Sequence, residues 1–171
     1  MQKTMLVALA CVCAIAFGCS KGPRKPADLP ELNPTTITVT YDDGEPIEGA
    51  QVVLRLAKST GGRVWNVVGT TDANGVATMM TDGNWEGVPA GDYQAMVSKD
   101  VSVFEEATTP GGSPTLKSST RYIDARFNDP RMSGLVAAVQ SGPNAFTFQV
   151  GEKTESAIET LPAEESTPGA E

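Results

Sequence analysis

The sequence predicts an all-β protein, a single seven-stranded antiparallel β-sandwich with Greek-key connections. Three observations point there. Short runs alternate apolar and polar residues with a period of two. Clusters of Asp, Asn, Gly and Pro separate those runs, and no amphipathic helix of useful length lies between them. The chain of 171 residues carries 17 glycines and 12 prolines, a composition suited to strands joined by tight turns.

The strands fall between residues 35 and 150. Thr36 to Tyr41 alternates strictly, with Ile37, Val39 and Tyr41 on one face, and Asp42-Asp43-Gly44-Glu45-Pro46 follows as a turn. Ala50 to Leu56 directs Ala50, Val52, Leu54 and Leu56 inward. Ser59-Thr60-Gly61-Gly62 breaks the chain before a third strand, Arg63 to Thr71, which carries Trp65 as a core residue beside Val67. Asp72-Ala73-Asn74-Gly75 is a hairpin turn, since Asn and Gly accept positive φ. Val76 to Thr81 returns, and a fifth strand holds Tyr93, Ala95 and Val97. The last pair is Leu135–Gln140 and Ala145–Val150. Residues 100–133 form a loop far longer than compact domains use, and such loops are commonly functional or disordered.

Both ends lie outside this domain. Residues 1–18 form an export signal: Lys3 supplies the charge, and the apolar run Met5–Phe17 falls short of the roughly 20 residues that span a bilayer. Ala16-Phe17-Gly18-Cys19 resembles a bacterial lipobox, with Phe17 where an aliphatic or small residue is usual. That resemblance implies a diacylglyceryl and acyl lipid on Cys19. Cys11, Cys13 and Cys19 are the three cysteines, so the processed chain keeps one and forms no disulfide of its own. Residues 19–34 are a proline-rich tether, and 151–171 an acidic tail too poor in apolar residues to order, apart from a helical turn near 156–161. The expected address is the cell envelope, with the membrane reached through the lipid. Ser20 after the cysteine favours the outer over the inner membrane.

Composition narrows the chemistry. The chain has no histidine, which removes histidine-based triads, metal sites and general bases. Its net charge of −8 argues against nucleic acid as a partner. No serine has a lysine partner at a recognisable spacing, so no catalytic residue is assigned and the chain reads as non-enzymatic.

Three motifs recur in a telling order: Gly44-Glu45-Pro46-Ile47-Glu48-Gly49-Ala50-Gln51-Val52, Thr71-Asp72-Ala73-Asn74-Gly75, and Pro89-Ala90-Gly91-Asp92-Tyr93. Together they resemble the carboxypeptidase regulatory-like, or transthyretin-like (prealbumin-like), sandwich domain. Tyr122, Asp129-Pro130, Ser133-Gly134-Leu135, Val139, Gly142, Asn144, Phe146 and Phe148 look like the closing segment of short bacterial lipoproteins carrying it. The resemblance covers residues 35–150 and implies a prealbumin-like or Ig-like fold. It implies no peptidase, because the domain is an accessory in those enzymes. Hydroxyisourate hydrolases of this kind use histidines that are missing here. Gly44 and Gly49 are expected at bends where a side chain would clash.

The candidate sites are few. Arg121, Tyr122, Arg126 and Phe127 mix cations and aromatics in the long loop and either bind a partner or tuck back onto the sandwich. Trp85, in Asp82-Gly83-Asn84-Trp85-Glu86-Gly87, is either an exposed contact for glycan or protein or a plug over one end. Asp42, Asp43, Glu45, Asp72 and Asn74 are weak calcium ligands, explained equally by turn preference. No other cofactor is expected. The function read from these residues is a protein-interaction or structural module, with an unknown envelope protein as partner. The alternative is a carbohydrate-binding module whose partner is a glycan.

Overall fold

The computed structural model describes residues 24–58, 61–106 and 112–158. The export signal, Cys19 and residues 159–171 of the tail lie outside the described residues.

The described chain is all β, apart from one turn of 3₁₀ helix at Ala125–Asn128. Its strands are β1 (Leu32–Asn33), β2 (Thr35–Thr40), β3 (Gln51–Leu56), β4 (Val67–Thr70), β5 (Val76–Thr78), β6 (Met80–Thr81) and β7 (Trp85–Glu86). They continue as β8 (Val88–Pro89), β9 (Gly91–Ser98), β10 (Asp100–Glu105), β11 (Thr115–Arg121), β12 (Val136–Val139), β13 (Asn144–Gln149) and β14 (Ser156–Ala157). One sheet of six runs β12-β9-β3-β4-β6-β7, and a sheet of three runs β13-β2-β5. Both feed one apolar core. Ile37 and Val39 of β2, Ala77 of β5 and Phe148 of β13 join Val52 and Leu54 of β3, Ala95 and Val97 of β9 and Val139 of β12.

The alternation in the sequence explains why these strands form. β2, β3 and β9 each present one apolar face, and a slip of one residue would turn that face to water. Ile37, Val39, Ala50, Val52, Ala95 and Val97 are fully buried, as their periodicity predicts. Thr71 seals the β3–β4 end. Its hydroxyl accepts the Ala50 N–H at 2.8 Å and donates to the Ile47 carbonyl, leaving neither group stranded.

Several expectations are corrected. Pairing is not antiparallel throughout: β13 lies parallel to β2, from Asn144 opposite Thr35 to Gln149 opposite Thr40. It enters after Val139 through a turn closed by Asn144, whose side chain bonds Gln140 and Gly142. Strand pairing also extends past both domain ends, with β1 on β8 and β14 on β11. Ser156–Ala157 is therefore strand rather than helical turn. The third strand begins at Val67, because Asp82 holds the preceding segment through its bonds with Asn66. Trp65 is half-buried and outside the core, and Leu56 is exposed.

Gly44 and Gly49 have positive φ, +87° and +71°, with open space where a side chain would stand. They are needed for backbone conformation rather than to avoid a clash. Gly75 meets both demands, since its φ is +74° and an added Cβ would lie 2.6 Å from the Val39 carbonyl.

Candidate functional site

The span 100–133, expected as a loop, is mostly a hairpin. β10 and β11 pair from Asp100 opposite Arg121 to Glu105 opposite Thr115, with a register shift between Val103 and Phe104. β14 adds to the far side of β11, so β10 is the outer strand of this small sheet. All six residues of β10 are exposed. Val101, Val103 and Phe104 are 44%, 48% and 60% accessible. Three large apolar side chains in water on one edge strand are a costly arrangement for a chain that never pairs further.

The base of the hairpin is fixed. Arg121 donates Nε to Asp100 Oδ1 at 3.0 Å and a terminal nitrogen to Oδ2 at 3.2 Å. That hydrogen bond to Asp100 raises the guanidinium pKa further. Tyr122 follows, its carbonyl accepting from Tyr41 Oη at 3.2 Å and its ring lying 5.5 Å from Lys99 Nζ. Burial first, then the carboxylates of Glu45 and Asp43, push the Tyr41 phenol up, which keeps it a donor.

Beyond Tyr122, Ile123 and Phe127 enter the core, 1% and 4% exposed. Asp124 caps the intervening turn by accepting the Arg126 N–H at 2.9 Å. Arg126 is exposed and lies over the Phe127 ring at 4.5 Å. Phe127 is therefore a packing residue, which corrects its place among the surface candidates. The other three candidates do not share one surface: Arg121 pairs with Asp100 at the hairpin base, Tyr122 lies beside Tyr41 and Lys99, and Arg126 covers Phe127.

Trp85 does not project from a loop tip. It is half-buried in β7, opposite Thr81 of β6. The turn carboxylates face their own backbone. Asp43 accepts the Glu45 N–H, and Asp72 accepts the N–H groups of Asn74 and Val76. The Val76 bond is the main cause holding the Asp72 carboxyl below its ordinary range. Among the described residues, no group of three or more acidic or cysteine side chains stands where it could share a metal ion.

The other notable surface is a cleft of about 610 Å³, lined by Trp65, Leu56, Val64, Pro89, Tyr93 and the segment around Glu31. Both this cleft and the β10 edge escaped the sequence reading. The alternation Val101-Ser102-Val103 is the one signal for the hairpin, since Thr115–Arg121 holds only Thr115 and Thr120 as β-branched residues.

No family model matches this sequence, and no curated protein matches it. Among solved structures, a 9R-lipoxygenase from Cyanothece PCC8801 is similar over 86% of this chain, at 16% identity and a TM-score of 0.42. The chain spans 21% of the length of that protein. A likeness at that level carries no argument about activity.

Proposed function

We propose that the chain is a non-catalytic, lipid-anchored module of the cell envelope, built on a prealbumin-like Greek-key sandwich, that docks onto another envelope protein. The lipobox-like Cys19 and the proline-rich tether support the anchor, and the order of the three turn motifs supports the fold. The observation that carries the interaction is the outer strand β10, with Val101, Val103 and Phe104 exposed beside an open row of backbone donors and acceptors. An extended strand of a partner adds to such an edge through main-chain bonds, with the exposed side chains giving selectivity.

Replacing Val103 and Phe104 together by lysine tests this. The variant is expected to fold and remain anchored but to lose its assembly in native gels of solubilised membranes. An unchanged assembly would overturn the reading. The anchor has its own test: labelled palmitate should enter the wild type and not Cys19→Ser.

A further inference from the structure

The main chain of β10 faces two ways. The Tyr122 N–H donates to the Lys99 carbonyl at 2.9 Å. In an antiparallel ladder the main-chain groups of alternate residues face the same neighbour. Those of Lys99, Val101 and Val103 therefore face β11, and those of Asp100, Ser102 and Phe104 face out of the sheet. The register shift past Val103 leaves this alternation intact, because the extra residue, Lys117, lies on β11: Val103 stands opposite Ser118 and Phe104 opposite Leu116.

An antiparallel partner must bring its own outward residues opposite these. For two identical β10 strands, the two-fold axis must then pass through a residue rather than between two. An axis through Ser102 sets Ser102 opposite its copy, and Val101 opposite Val103 on both sides. It also sets Lys99 opposite Glu105 twice. Residues directly opposite share a face, where apolar pairs and opposite charges stabilise and like charges do the reverse. Lys99 is half-buried and Glu105 exposed, and neither makes an ion pair among the described residues. Asp100 would stand opposite Phe104, its charge already met by Arg121. An axis through Val103 instead sets Val101 against Glu105 and Asp100 against Glu106. An axis through Val101 sets Lys99 against Val103. Only the Ser102 axis matches charge with charge and apolar with apolar.

Resting on the reading that this edge docks another chain, we propose that its occupant is a second copy of this protein, paired antiparallel through β10 about Ser102. The two small sheets would join as β14-β11-β10-β10-β11-β14, which removes the open edge from both copies at once.

The test is sedimentation of the purified, detergent-solubilised full-length protein, with the wild type expected as a dimer. Lys99→Glu and Glu105→Lys each turn both opposed pairs into like-charge contacts, and each should weaken dimerisation about tenfold. Mixed in equal amounts, the two variants restore both pairs with the signs exchanged, and the mixed dimer should regain wild-type affinity. No recovery on mixing would overturn the proposal, as would a dimer indifferent to Val103→Lys combined with Phe104→Lys. A monomeric wild type would overturn it too. In that case an assembly with a different membrane protein, abolished by the same two lysines, would leave the docking reading standing. Two lysines without effect on either assembly would overturn both.

Discussion

Arg121 and Asp100 close the open end of the β10–β11 hairpin with two parallel N–H···O bonds of 3.0 and 3.2 Å. The pair sits where the hairpin leaves the body of the protein, so it sets the angle at which Val101, Val103 and Phe104 are presented. Both side chains are partly exposed, 25% and 33%. Asp100→Asn is therefore expected to cost under about 1 kcal/mol in urea unfolding. Its larger effect should be local, as faster amide exchange over residues 100–121 measured by mass spectrometry.

Phe127 and its neighbour Arg126 separate packing from surface chemistry. Phe127→Ala removes a ring that is 4% exposed and should cost about 3–5 kcal/mol in urea unfolding. Arg126→Ala leaves the core intact and should cost under about 1 kcal/mol. Similar losses from the two changes would mean that Phe127 is not anchored as described.

Thr71 is a polar residue that the core requires. Thr71→Val keeps the shape but strands the Ala50 N–H, which the hydroxyl accepts at 2.8 Å. The expected loss is about 1–3 kcal/mol, with Thr71→Ser recovering much of it, by thermal or urea unfolding.

Tyr93 gives the fold an alkaline limit. Burial pushes its phenol up to about 12 from an ordinary 10.0. The folded state thus holds the proton more tightly than the unfolded chain. That stability is full below pH 10 and falls as the pH rises through 12, by on the order of 2 kcal/mol. Tyr93→Phe should flatten the decline in unfolding midpoints measured across that interval, at the cost of the bond to Pro89.

The strands that build the core were legible because each buries one face. Ile37-Thr38-Val39 and Tyr93-Gln94-Ala95 write that burial directly as alternation. β10 and β11 escaped notice for the opposite reason, since a hairpin exposed on most of its surface has no buried face to impose a pattern on Thr115–Arg121. The parallel seat of β13 on β2 depends on a contact between residues more than a hundred positions apart, and local turn chemistry carries no signal for it. Trp65 read as core because an aromatic beside Val67 resembles a strand, but the bonds from Asp82 hold residues 63–66 off the sheet. Phe127 had two open readings in the sequence, and the packing of Ile123 and Phe127 selects one.

The central claim, that the β10 edge docks an envelope protein, is tested most directly by photo-cross-linking in intact cells from position 103. Position 86, exposed in β7 at the end of the six-stranded sheet, serves as the control site. The expected result is one dominant protein adduct from position 103 and none from position 86. An identical adduct pattern from both positions, or no adduct from position 103, would contradict it.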